Sequence, residues 1–163
     1  MASSAYCTLI DQLCELTLIP NPSAFYERAN LSVKEVDFNL THNPGVGEGD
    51  IFIYCGFGPL PRGNREAVLQ RLLETNLYLF SGPFSPSLAY NSETGQVVLT
   101  SNVMVDNLTA ERLLGLMGGL ADMALVWRGN HFLDNDARSK AAKATPIPQP
   151  GTRPAGLSAA FKR

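Results

Sequence analysis

The chain has 163 residues, the length of one typical domain, and 45% of them are hydrophobic. Its charge is uneven: residues 1–129 hold 7 Lys and Arg against 13 Asp and Glu, whereas residues 130–163 hold 6 against 2. An acidic body argues against nucleic acid as a partner of the fold. No run of about 18 uncharged apolar residues is present, so we expect no membrane insertion, and Asp11 and Glu15 near the start argue against a secretory signal.

The cysteines indicate reduced thiols in a cytoplasmic protein. Cys7, Cys14 and Cys55 are few, odd in number and without the spacing of a metal site. Cys7 and Cys14 are seven residues apart on one predicted helix. Their Cα atoms would then be about 10 Å apart, which is too far for a disulfide.

The first predicted element is a helix over residues 6–19. Ser3 or Ser4 can cap its start, and Pro20 breaks it. Its apolar residues cover about 200° of the helix surface, wider than the roughly 100° that a surface helix of a monomer needs. These residues are Tyr6, Leu9, Ile10, Leu13, Cys14, Leu16 and Leu18.

Three strands are predicted next. Residues 31–40 form two short strands, because apolar and polar residues alternate on both sides of a weak turn at Lys34 and Glu35. The following segment is rich in Gly, Pro and Asn and is predicted to be a loop. Residues 51–57 form the third strand, which is apolar on both faces, as expected of a central strand that is covered on both sides.

The helix predicted over residues 64–80 has more apolar surface than one neighbour can cover. Asn64 opens it, and Gly82 and Pro83 close it. Its apolar arc spans roughly 180° and divides into two flanks. One flank consists of Val68, Leu72 and Leu79, and the other of Leu69, Leu73, Leu77 and Phe80. We therefore expect this helix to pack against its own sheet and against a second neighbour.

Residues 87–90 and 96–105 are predicted to pair as a hairpin around Gly95, and residues 109–127 to form the last helix. Gly115, Gly118 and Gly119 lie away from the core stripe of that helix, so either something packs closely there or the helix is loose.

We predict one domain over residues 1–129 and a mostly disordered, basic, Pro- and Ala-rich tail over 130–163. The order α-β-β-β-α-β-β-α predicts an α+β fold with a twisted antiparallel sheet packed with helices.

No set of residues indicates catalysis, a cofactor or a metal. His42 and His131 are the histidines of the chain, and Cys55 with His42 is the one conceivable thiol–base pair. Cys55 lies mid-strand among apolar residues, which disfavours that pair. The Gly-rich segment 45–49 precedes a strand and holds Glu48, so it is not a phosphate loop. The surplus apolar surface instead indicates a protein that binds other chains, and an edge strand could accept a strand from a partner.

The order of motifs resembles the Tir chaperone (CesT-like) family, the small class I chaperones of bacterial type III secretion. In family members the usual order along the chain is a strand, a proline-containing link, a helix with the motif LLExN, a hairpin closed by glycine and a helix with the motif LxAExL. The counterparts here are DIFIYCGFGPLP at 50–61, LQRLLETNL at 69–77, LAYNSETG at 88–95 and LTAERLL at 108–114, ending near Trp127. The resemblance covers residues 5–128 and excludes the tail.

The resemblance implies a cytoplasmic bacterial homodimer. Such a dimer binds the N-terminal segment of a secreted effector in extended form, keeps it soluble and export-competent without ATP, and helps to target it to the export ATPase. The second helix of family members supplies dimer contacts, which implies an interface at Leu69, Leu72, Leu73, Asn76, Leu77 and Phe80. Their first helix and first strands contribute to effector binding, which implies contacts by Leu9, Leu13, Leu16, Leu31, Val33, Val36 and Phe38.

Several alternatives stay open at this point. The Asn76 amide lies between the two flanks of its helix. It could bond to its own chain's backbone, or fix the register of the dimer as a buried Asn does in coiled coils.

The alternative function is that of a small ligand-binding or enzymatic α+β domain, with a pocket between the first helix and the sheet. A structural subunit of a larger assembly is a third.

Overall fold

A computed structural model describes residues 3–45, 47–106 and 108–133. Within these residues the chain forms three α-helices, five strands and a short 3₁₀ helix, Pro22–Phe25. The helices are α1 (Ser4–Thr17), α2 (Arg65–Leu79) and α3 (Ala110–Asn130). The strands are β1 (Ala29–Val33), β2 (Val36–Asn43), β3 (Asp50–Pro59), β4 (Ser87–Asn91) and β5 (Gln96–Met104). None of the helices in these ranges has the length and apolar character to span a membrane.

The strands form one antiparallel sheet in the order β1-β2-β3-β5-β4, which confirms the predicted fold class and order of elements. The turn between the first two strands is tight. Lys34 and Glu35 both have positive φ, 52° and 62°, as a type I′ turn requires. This turn sets the register in which Val33 pairs with Val36.

Local capping marks both ends of α1 and the start of α3. The Ser3 hydroxyl accepts a hydrogen bond from the N–H of Tyr6, which confirms Ser3 as one of the two expected caps of α1. The helix ends at Leu18, whose left-handed backbone (φ 55°) stops it before Pro20. Thr109 caps α3, which continues to Asn130, beyond the predicted end at residue 127.

The hydrophobic core lies on one face of the sheet. There α3 packs across β1, β2 and β3, α1 packs on α3, and α2 packs against β4. The inward residues of β3 are Ile51, Ile53, Cys55 and Phe57, all fully buried. The prediction that β3 is covered on both sides is wrong for the single chain, because Phe52 and Tyr54 on the other face are 37% and 43% exposed. Polar side chains such as Thr100, opposite Tyr54, lie beside them on that face.

The glycine-rich side of α3 faces open space. A Cβ added at Gly115, Gly118 or Gly119 would meet no atom within 4 Å in the described part of the chain. Close packing against these glycines is therefore absent from the single protomer, as the structure describes it.

The folded body continues past residue 129, where the domain was predicted to end. The ring of Phe132 meets that of Phe57 edge to face, with 6.5 Å between centroids, and Leu133 also packs against the core. The remainder of the predicted tail, residues 134–163, lies outside the described residues.

Arg128 ties the end of α3 to two parts of the sheet. Its guanidinium donates to the carbonyl oxygens of Phe57 (2.8 Å), Gly56 (2.9 Å) and Glu35 (3.1 Å). Gly56 and Phe57 lie at the bulge where the register of β3 against β5 shifts, and Glu35 lies in the β1–β2 turn. One side chain therefore fixes the helix, the bulge and the turn relative to one another.

We expect Arg128→Ala to lower the free energy of unfolding by about 1–3 kcal/mol, because three hydrogen bonds from a charged donor are lost. Urea unfolding measures this change. Arg112→Ala, at an exposed position of the same helix, is the matched control and should change stability by less than about 0.5 kcal/mol. Equal effects of the two substitutions would contradict the role given to Arg128.

Candidate partner-binding surfaces

Asn76 of α2 bonds to the backbone of the edge strand β4. Its Nδ2 donates to the carbonyl oxygen of Leu88 (3.0 Å), and the N–H of Leu88 donates to its Oδ1 (2.7 Å). The side-chain amide thus pairs with Leu88 as a neighbouring strand would. Of the two roles considered for Asn76, the structure contains the first, a bond to the chain's own backbone. At this point α2 occupies the outer edge of β4, which protects the edge from pairing with another chain.

The helix α2 buries one flank in its own chain and exposes the other. Val68 and Leu72 are buried. The exposed residues repeat at helical spacing on one face, which we call the outer flank. It consists of Leu69, which is half-buried, and of Leu73, Leu77 and Phe80, which are 72%, 74% and 74% exposed. Contiguous exposed apolar surface of this kind is typical of interaction sites.

Two residues expected at a dimer interface have partners within the chain. Leu72 is 4% exposed and belongs to the core, and the amide of Asn76 is held by Leu88. The other four residues expected there make up the outer flank.

Most residues expected to contact an effector lie in the core of the single chain. The buried ones are Leu9, Leu13, Val36 and Phe38, each at most 3% exposed. In this conformation a partner cannot reach them. Leu16 is 48% exposed, and Leu31 and Val33 are half-buried on β1. The wide apolar arc of α1 did not reveal which of its residues face the protein's own core.

The outer edge of β1 is available for pairing, because β1 is the first strand of the sheet. Val33 and Val36 close a two-residue turn and therefore exchange both of their backbone hydrogen bonds. Hydrogen-bonded and non-bonded pairs alternate along the strand. The N–H and C=O groups of Asn30 and Ser32 consequently point away from β2, where a strand of another chain could pair with them.

The uncovered face of the sheet begins at this same edge. A shallow groove of about 520 Å³ there is lined by Asn30, Leu31, Ser32, Asp37, Phe38, Asn39, Tyr54, Gly56 and Val98. That this face is uncovered was not predicted, because the apolar pattern of β3 was considered without the residues of its neighbouring strands. The signal was in the neighbouring strands, which place polar residues beside Phe52 and Tyr54, namely Asn39, Thr41, Thr100 and Asn102.

The one conceivable thiol–base pair does not form. Burial raises the pKa of the Cys55 thiol to about 12, and the nearby charge of Arg128 lowers it only in part. The thiol donates to the carbonyl oxygen of Leu120 (3.9 Å). His42 stacks on the ring of Tyr6, with 4.9 Å between centroids, and its Nε2 lies 2.9 Å from the carbonyl oxygen of Glu48. Among the described residues, no group of three or more His, Cys, Asp or Glu could hold a metal ion.

Comparison with known families gives a match to the model of the Tir chaperone protein (CesT) family over residues 21–128. The match covers more than half of the chain and runs from the 3₁₀ helix into the last turn of α3. It confirms the resemblance predicted from the motifs. No protein of curated function matches the chain in sequence.

Several solved structures share this fold. The structure of the ExsC–ExsE complex superposes with a TM-score of 0.63 at 20% identity, covering 78% of this chain and 94% of that one. The structure of the HopA1–SchA chaperone–effector complex has a TM-score of 0.57 at 17% sequence identity, and the superposition covers 77% of this chain and 94% of that one. The structure of the ExoT–SpcS complex from Pseudomonas aeruginosa has a TM-score of 0.51 at 19% sequence identity, and the superposition covers 74% of this chain and 96% of that one. At these identities the likeness establishes the fold.

We expect Asn76→Ala to lower the free energy of unfolding by about 1–3 kcal/mol, because the N–H and C=O of Leu88 both lose their partner. Urea unfolding measures the loss, and hydrogen exchange should show a faster amide at Leu88. Gln70→Ala, at an exposed position of the same helix, is the control. Unchanged stability together with an unchanged exchange rate at Leu88 would contradict the role of Asn76.

Proposed function

We propose that this chain, which belongs to the Tir chaperone protein (CesT) family of type III secretion chaperones, holds the N-terminal segment of a secreted effector in extended form. The observation that carries the proposal is the difference between the two sheet edges. The edge at β4 is occupied by Asn76, whereas the edge at β1 presents the backbone groups of Asn30 and Ser32. An extended peptide needs an edge of the second kind.

The effector segment pairs as an additional strand beside β1. Its backbone hydrogen bonds to Asn30 and Ser32 would give affinity with little dependence on sequence. Its alternate side chains would meet Leu31 and Val33 on one side and the groove beside Tyr54 on the other, which supplies apolar contact. Strand pairing and apolar burial are favourable by themselves, so we expect binding without ATP.

The class of partner follows from family membership and from the similar structures. One of these is a chaperone–effector complex. We extend that class of partner to this chain as part of the proposal. A cytoplasmic location, targeting of the effector to the export ATPase, and the lack of enzymatic activity and of a cofactor stay predictions from the resemblance.

We further propose that the outer flank of α2 is the contact between two copies of the chain. Burying an exposed Leu or Phe side chain yields roughly 1.5–3 kcal/mol. Leu73, Leu77 and Phe80 of each copy are therefore enough to drive association. Because α2 packs at the β4 edge, this dimer would leave the β1 edge of each copy free.

Light scattering at micromolar concentration should give the mass of a dimer. Leu73→Glu combined with Leu77→Glu should give a monomer, because four carboxylates would be brought into one apolar contact. Val126→Glu is the control, since Val126 is also exposed (57%) but lies on α3. A monomer for the unchanged chain, or a dimer that survives both glutamates, would contradict the proposed interface.

Purification of a tagged chain from bacteria that operate the export system should retrieve a secreted protein. Ser32→Pro should weaken that complex about fivefold, because one outward N–H is lost at a cost of about 1 kcal/mol. Ser32→Ala keeps the N–H and should bind as the unchanged chain does. Failure to retrieve any secreted protein would contradict the function. Equal binding by the proline and alanine variants would contradict the assignment of the β1 edge.

A further inference from the structure

A second groove lies between α1 and the start of α3, away from the β1 edge. It has a volume of about 540 Å³ and is lined by Gln12, Glu15, Leu16, Thr109 and Glu111. Leu16 gives it an exposed apolar floor, with 48% of that residue accessible. Glu15 and Glu111 make it acidic, and no Lys, Arg or His is among its lining residues. Its chemistry suits a peptide that carries apolar and basic side chains together.

The chain itself carries such a peptide. Residues 138–163 contain six Lys and Arg and no Asp or Glu. Within them, residues 157–163 (LSAAFKR) combine Leu157 and Phe161 with Lys162 and Arg163. The rest of the chain is acidic, with 7 Lys and Arg against 15 Asp and Glu over residues 1–137. Opposite charges on the groove and the segment favour their association.

We propose that residues 157–163 bind in the groove between α1 and α3 of the same chain. Leu157 and Phe161 would pack on Leu16, and Lys162 and Arg163 would pair with Glu15 and Glu111. Hydrogen bonds from its own backbone N–H and from the Thr109 hydroxyl lower the pKa of the Glu111 carboxyl. That group therefore stays ionised and available to a cation at neutral pH.

The length of the connecting segment suits this contact. The groove lies at the first turn of α3, and the described chain leaves from Leu133 at its other end. The 21 residues of α3 span about 30 Å. A random-coil chain of 23 residues, the number in the segment 134–156, has a root-mean-square length of roughly 26 Å. Effective concentration is highest when the length of a linker matches the span, and it then reaches the millimolar range.

The contact would cover Leu16, which is also one of the residues expected to bind an effector. The segment would then act as an internal competitor at that position. The contact itself does not depend on the proposed function, because it concerns one chain alone.

Photo-crosslinking of the full chain tests the proposal. The photoreactive residue p-benzoylphenylalanine replaces Gln12, an exposed residue that lines the groove. Heavy and light isotopic forms are mixed in equal amounts in denaturant and refolded together, so that any dimers contain both forms, and mass spectrometry then identifies the linked peptides. We expect links to residues 157–163, with both linked peptides from the same isotopic form. The same probe in place of Gln70 on α2 should give no such link.

Charge neutralisation separates a specific contact from chance proximity. Glu15→Gln combined with Glu111→Gln should lower the yield of the link about threefold or more, because two charge pairs are lost. Glu27→Gln combined with Glu93→Gln, at exposed sites that do not line the groove, should leave it unchanged. Links to other segments, links between heavy and light chains, or an equal yield in the two double variants would overturn the proposal.

Discussion

The two hydrogen bonds between the Asn76 side chain and the Leu88 backbone decide which surfaces of this chain stay open. They fix α2 against the edge of β4 and occupy the outward backbone groups of Leu88, which protects this edge from pairing with another chain. The same contact sets the rotation of α2, with Val68 and Leu72 turned inward and the outer flank turned to solvent. One amide side chain of α2 thus protects one sheet edge and leaves an apolar flank of the helix exposed.

The two surfaces left open for partners, the β1 edge and the outer flank of α2, lie at opposite ends of the sheet. With β4 occupied, β1 is the strand whose outward backbone groups at Asn30 and Ser32 are available. An effector strand at β1 and a second copy of the chain at α2 would therefore not compete. Arg128 supports this arrangement from the core side, because it fixes the β1–β2 turn and the β3 bulge to the end of α3.

The sequence allowed much of this to be predicted. Helical spacing separated the two flanks of α2 correctly, and period-two patterns located the strands, because both signals are local. A weak turn was also expected at Lys34 and Glu35, and the structure has a tight turn there although neither residue is Gly or Asn. The apolar arc of α1 was more ambiguous. Residues on one arc can face the protein's own core or a partner, and Leu13 and Leu16 differ in this respect although the pattern treats them alike.

The other features that were not predicted from the sequence also depend on contacts between parts of the chain that are distant in sequence. The open face of β3 depends on the polar residues that β2 and β5 place beside Phe52 and Tyr54, which are distant in sequence. The partner of Asn76 is the backbone of Leu88, 12 residues further along the chain, and no local pattern identifies that particular group. Edge availability is a property of the assembled sheet, so it became visible only in three dimensions.

Hydrogen exchange of the chain, alone and in complex with the secreted protein that it retains, tests the central claim most directly. We expect binding to slow exchange of the Asn30 and Ser32 amides, whose N–H groups would be covered by the added strand. Exchange at Leu88 should stay the same, because Asn76 already protects that amide. Slower exchange along β4 with no change at β1 would contradict the account.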